Sequence, residues 1–120
     1  MKFEEILRQM TEEFIDHWNR WDFDLMRSFL HEDVVVHSPL VNLVYPDAEA
    51  QVVKGREQVL DYWRRLQPEA GRMQFNLESL EKVDRKVYAV SGIEGDSRKL
   101  FSEFHYNEYG KVIELVFNYR

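Results

Sequence analysis

A chain of 120 residues is long enough to bury one core without disulfides or metals, and with no cysteine it has neither a disulfide scaffold nor a thiol nucleophile. Hydrophobic residues at 44%, aromatics at 14% and the lack of any low-complexity run mark a compact globular chain rather than a disordered one. A formal charge of −6 argues against nucleic acid and against an anionic membrane surface, both of which need a basic footprint. The N-terminal MKFEEILRQM is acidic and amphipathic, with neither an apolar signal core nor a span of transmembrane length, so the expected location is the cytoplasm and the expected organisation one domain over residues 1–120.

Phe3, Ile6, Leu7, Met10, Phe14, Trp18 and Trp21 recur at three- and four-residue steps and predict one buried face of a helix. Glu4, Glu5, Glu12, Glu13 and Asp16 fall mainly on the other side. Asp22 is placed to cap a second helix, with Leu25, Met26, Phe29 and Leu30 as its inward face. His31-Glu32-Asp33 reads as a polar exit, after which Val34-Val35-Val36 starts a strand that Pro39 stops. LVNLVY and AQVV, on either side of Pro46-Asp47, are expected to be two short strands. Gly55 precedes a third helix, Arg56 to Gln67, striped by Val59, Leu60, Trp63 and Leu66 and ended before Pro68.

From Arg72 the period becomes two. Met73, Phe75 and Leu77 are followed, across turns at Asp84-Arg85, Gly95-Asp96 and Glu108-Tyr109-Gly110, by alternating strands. Their like-facing sets are Val87, Ala89, Ser91 and Ile93, then Leu100, Ser102, Phe104 and Tyr106, then Ile113, Leu115, Phe117 and Tyr119. Three helices before a four-stranded antiparallel meander define the α+β class.

The order of a long helix, a short helix capped in WDFD, a strand running into a proline, Gly-Arg-Glu opening a third helix, and strands ending in NEYGKVIEL resembles the nuclear-transport-factor-2-like superfamily. Its members include SnoaL-like polyketide cyclases and ketosteroid isomerases. The resemblance covers nearly the whole chain. It implies a cone-shaped, cystatin-like fold, with a long N-terminal helix and two shorter ones packed in a strongly curved antiparallel sheet. It also implies an internal pocket for a small hydrophobic molecule and a homodimer through the outer sheet face. In the steroid isomerases a carboxylate base precedes the proline, and the matching position here is Ser38. The second catalytic carboxylate matches Ser102, the helix-one tyrosine Phe14, and the tyrosine that supports it Trp63. An unassisted serine cannot replace a carboxylate base and phenylalanine donates nothing, so isomerase activity is not expected.

Strand parity separates two site readings. If the apolar alternation faces the pocket, Val34, Val36, Ser38, Leu100, Ser102, Phe104, Leu115, Phe117 and Tyr119 line it together with Phe14, Trp18 and Trp63, as suits an apolar ligand. If a β-bulge shifts the phase, His37, Glu103 and His105 turn inward as an acid–base set for a lyase, hydratase, isomerase or cyclase. A third reading is a non-catalytic homodimerisation or adaptor domain with a closed cone. Glu103-x-His105 lacks the further ligands that a metal needs, so neither metal nor cofactor is expected. His17 and His31 are expected to face solvent, and Val112, Val116, Tyr88 and Val90 to form apolar patches on the outer sheet face.

Overall fold

The computed structural model describes residues 2–71 and 73–120; Arg72, the expected start of the meander, and the Glu4 side chain lie outside the described residues. Helix α1 (Phe3–Asn19) is followed by α2 (Phe23–Phe29), β1 (Leu30–His37), the one-turn α3 (Val41–Val44), β2 (Val52–Lys54) and α4 (Arg56–Ala70). Four strands then follow: β3 (Phe75–Val83), β4 (Lys86–Ile93), β5 (Lys99–Tyr106) and β6 (Val112–Tyr119). They join β1 and β2 in one curved sheet of order β2-β1-β6-β5-β4-β3. The helices α1 and α4 lie on its concave side.

Helix α1 buries Leu7, Thr11, Phe14, Ile15 and Trp18, an arc of three- and four-residue steps, whereas Phe3 and Ile6 of its first turns stay exposed. Its end is a Schellman motif: the Asp22 N–H reaches the His17 carbonyl and the Trp21 N–H the Trp18 carbonyl. Trp21 sits at φ 60°, an unusual conformation for a bulky residue, and its ring packs edge-on against Trp18 and Phe23 at 5.3 and 4.8 Å between centroids. Asp22 then caps α2 by accepting the Leu25 N–H.

Among the described residues, four hydrogen bonds fasten the end of α1 to the start of the meander. The Asn19 side-chain amide donates to the Phe75 carbonyl at 2.7 Å and its oxygen accepts the Phe75 N–H at 2.8 Å, so one side chain imitates a neighbouring strand. Trp18 Nε1 donates to the Met73 carbonyl, and Gln74 Nε2 to the Asn19 carbonyl. Further along α1, Thr11 Oγ1 spends its hydrogen on the Leu7 carbonyl, which leaves the Tyr106 hydroxyl as donor in their buried 2.6 Å contact.

Several expectations change. Strand β1 begins at Leu30, so His31-Glu32-Asp33 belongs to it, and His31 Nδ1 accepts the Asp33 N–H. LVNLVY is no strand: its centre forms the helical turn α3, held by the Tyr45 N–H on the Val41 carbonyl, with Val41 buried against the core. Helix α4 runs through Pro68 to Ala70, because a proline this near the end removes only the bond to the Arg64 carbonyl, on the exposed side. The sheet is mixed, since β1 runs parallel to β6. Ile113 is an extra residue between the Tyr106–Val112 and His105–Glu114 pairs, and this bulge sends Val112 into the core and Ile113 outward, reversing the expectation for both.

Replacing Asn19 by Ala removes both hydrogen bonds to Phe75 and leaves a half-buried N–H and carbonyl unmatched. We expect the urea midpoint to fall by the equivalent of about 1–3 kcal/mol with an unchanged slope. A midpoint equal to that of the parent protein would show that the clamp adds nothing.

Candidate functional site

The concave side of the sheet is lined by alternate residues of each strand, and where these are small a space remains. Ser91 on β4 and Ser102 on β5 lie opposite Leu100 and Phe117 in the ladders. Around them close Phe14, Ile15 and Trp18 of α1, Tyr62, Trp63 and Leu66 of α4, then Ser38, Phe75, Phe104 and Tyr119. The space between these side chains, counted out to its mouth, is about 470 Å³, of which a water molecule's centre can reach only about 30 Å³. The cavity at rest is therefore nearly closed by its own rings.

Its walls are ordered edge to face. Trp18 and Trp63 stand at 89° with centroids 5.2 Å apart, and Phe14 meets both Trp63 and Phe104 at a steep angle. Among the described lining residues none is charged; besides the indole N–H groups of Trp18 and Trp63, the polar side-chain groups are the hydroxyls of Ser38, Tyr62, Ser91, Ser102 and Tyr119. Ser38 Oγ accepts the Leu40 N–H at 3.2 Å. Tyr62 is 1% exposed, and its hydroxyl has no hydrogen-bond partner of good geometry. Burial raises its pKa above the ordinary 10.0, while Ser38 close by acts more weakly in the other sense. Burial likewise raises the phenol of Tyr119, with Tyr62 adding to the effect.

Two open clefts adjoin the cavity. One, of about 830 Å³ counted out to its mouth in the same way, is lined by Leu40, Leu43, Ala70, Met73, Ile93 and the β4–β5 turn, and shares Tyr119 with the cavity. The Arg98 guanidinium lies over the Tyr119 ring, 5.9 Å from its centre. The other, of about 520 Å³ counted in the same way, runs from His37 and Gln51 to Asn118 and shares Ser38 and Phe117. Tyr119 on one side, and Ser38 with Phe117 on the other, are thus the partitions between the cavity and the outside.

Of the residues expected to contact a ligand, Phe14, Trp18, Ser38, Trp63, Ser102, Phe104, Phe117 and Tyr119 border the cavity. Leu115, Val34 and Val36 do not, although all three are fully buried: Leu115 pairs with Phe104, away from the Leu100–Tyr119 end of the strands where the space lies, and Val36 pairs with Leu115. Leu100, also expected to face the pocket, borders it too, and Tyr62, Ile15, Leu66, Phe75 and Ser91 complete the described lining. Tyr62 was within reach of pattern reading, because Val59, Tyr62, Trp63 and Leu66 follow the i, i+3, i+4, i+7 rule of one helix face.

The acid–base candidates do not reach the cavity. Strand β5 keeps its alternation without a bulge before His105, so Glu103 and His105 face outward, and His37 does so on β1. Parallel pairing of β1 with β6 instead brings His37 to Glu114: His37 Nε2 and Glu114 Oε2 are 2.7 Å apart, and His105 Nδ1 lies 3.4 Å from Glu114 Oε1. Glu114, not Glu103, joins the two histidines. Among the described residues no group of three or more His, Cys, Asp or Glu side chains is arranged to hold a metal ion. His17 is half-buried rather than solvent-facing, its ring edge-on to Phe29 at 5.5 Å.

A family profile for the SnoaL-like domain matches residues 11–114, and the chain belongs to that family. Among solved structures, a SnoaL-like protein of unknown function from Burkholderia thailandensis is 21% identical, with a TM-score of 0.84 over 100% of this chain and 99% of that one. A putative ketosteroid isomerase from Kribbella flavida is 17% identical, with a TM-score of 0.75 over 98% and 79% of the two chains. SalBIII, an epoxide hydrolase/cyclase-like enzyme of pyran ring formation in the polyether salinomycin, is 16% identical, with a TM-score of 0.75 over 100% and 95%. At these identities the likeness shows the nuclear-transport-factor-2-like fold. No curated protein matches the sequence. No helix of the described residues is long and apolar enough to cross a membrane.

Alkaline titration tests the burial of the phenols. The pKa values of Tyr62, Tyr106 and Tyr119 are raised in the folded state, so the stability tied to them is complete below the ordinary value of 10.0 and is lost as pH rises through the raised values. Phenolate absorbance from these three is expected to appear above the ordinary tyrosine range, together with a falling urea midpoint. A midpoint that stays level as the phenolates form would contradict their burial.

Proposed function

We propose that this SnoaL-like chain binds a small, uncharged hydrophobic molecule in the cavity between α1, α4 and the sheet. The observation that carries this reading is that five hydroxyl-bearing residues border one apolar space. A core selected only for sealing would fill these positions with carbon, because a hydroxyl without a matched partner costs free energy on burial. The wide cleft against Tyr119 supports entry from that side, with the Tyr119 ring swinging outward to enlarge the space. Among the described lining residues there is no carboxylate, and the positions corresponding to the isomerase carboxylates, Ser38 and Ser102, are both on the cavity wall. The reading is therefore of binding, not of proton abstraction by a carboxylate.

Native mass spectrometry of the protein purified from its own host is expected to show a retained mass of small-molecule size. Ser102→Val, which fills the space, should lose that mass while keeping its fold by circular dichroism. A parent protein that carries no ligand and responds to no apolar probe would point to the closed-cone reading, a domain serving assembly alone.

A second reading concerns assembly. Tyr88, Val90, Phe101 and Val116 stand half-exposed on the outer sheet face beside the His37–Glu114–His105 array. Such a face is favourably covered by a second copy, and we propose a homodimer through it. Light scattering at micromolar concentration should give twice the chain mass, and Val116→Glu should give a monomer. A monomeric parent protein would remove this reading.

A further inference from the structure

We infer that the cavity has a latched door: the Tyr119 ring is the door, and the Arg98 guanidinium, held in place by Asp96, is the latch that keeps it shut. This rests on the proposal that the cavity binds a hydrophobic molecule, and it says what controls that molecule's passage. Tyr119 borders both the cavity and the wide cleft. Its backbone is fixed, because beside it the Lys99 and Arg120 main chains exchange hydrogen bonds of 2.6 and 2.9 Å. Opening is therefore a rotation of the Tyr119 side chain. The cavity side is filled with rings, so the free direction is into the cleft. On that path lies the Arg98 guanidinium, part of the cleft wall and 5.9 Å from the centre of the Tyr119 ring.

The latch is built in the β4–β5 turn. Asp96 Oδ1 accepts the Arg98 N–H at 2.8 Å, Arg98 Nε lies 3.2 and 3.1 Å from Oδ1 and Oδ2, and Nη2 donates to Oδ2 at 2.7 Å. A guanidinium gripped along its edge by a carboxylate keeps its flat face for an aromatic ring. Hydrogen bonds from Arg98 hold the Asp96 carboxyl at about 2, so the pair is intact throughout the neutral range. Burial, and then Tyr62, raise the Tyr119 phenol while Arg98 opposes the rise, as a cation beside it does. An outward swing of Tyr119 thus has to displace Arg98 and pull it from Asp96. More than half of the Arg98 side chain is exposed, so the hold is weak: it slows passage without sealing the cavity.

Stopped-flow mixing with naphthalene, an uncharged apolar probe that quenches tryptophan emission, reads the rate of entry, and dilution of the complex reads the rate of exit. Arg98→Met removes the latch and Asp96→Asn loosens it. Both changes lie on a surface turn, so circular dichroism should match the parent protein. Each variant is expected to speed entry and exit together by about two- to fivefold, with Kd unchanged to within about twofold. A residue that only shaped the pocket would move Kd instead. Tyr119→Ala removes the door and should exchange naphthalene fast whether or not Arg98→Met is added. Parent-like rates in either latch variant, a shifted Kd without faster exchange, or a further gain from Arg98→Met in Tyr119→Ala would overturn the latch and leave the pocket standing. Binding to Tyr119→Ala but not to the parent protein would do the same, because a latched door still opens. If naphthalene binds neither, the pocket reading fails and the inference with it.

Discussion

The double hydrogen bond between the Asn19 amide and the Phe75 backbone is the constraint on which the rest of the cone depends. A helix lying in a curved sheet can slide along its axis at little cost, because apolar contacts have no direction. A side-chain amide that matches both backbone groups of one strand residue does have direction, and it sets the depth at which α1 enters the sheet. Trp18 is the adjacent residue and Phe14 lies about one and a half turns back on the same helix, so their positions against α4 and over β5 follow from that depth. The Schellman turn at Trp21 then reverses the chain tightly enough for α2 to lie back along α1.

Within that frame the cavity is a matter of side-chain size. Large inward residues meet helix residues directly at Phe104, Leu115 and Val36, whereas Ser91 and Ser102 fall short of them. A nearly closed space edged by hydroxyls is an expensive way to make a core and an economical way to make a selective pocket, since each polar atom costs most when nothing meets it. The ionisable groups meanwhile sit on the far side of the sheet, where His37, Glu114 and His105 join across β1, β6 and β5. One thickness of sheet thus separates the charged face from the apolar one.

Much of this was legible in the residues. The α1 stripe, the capping Asp22, the inward sets of β4 and β5 and eight cavity residues follow from periods of 3.6 and 2, which are local properties of the chain. The misreadings have local causes of another kind. LVNLVY carries β-branched residues yet makes a helical turn, because burying Val41 against the core outweighs strand preference. Ile113 and Val112 exchange faces because a bulge depends on the partner strand, which no period records.

By itself the sequence determined the α+β class and the direction in which most side chains point, because each is written in the identity and spacing of neighbouring residues. Only the tertiary structure decided that β1 runs beside β6, and so that His37 meets Glu114 and not the cavity. It also decided that hydroxyl-bearing residues from α4, β4, β5, β6 and the turn after β1 border one space. The physical reason is the same in both cases: these groups are brought together by pairings between segments dozens of residues apart, and the residues in between carry no trace of them.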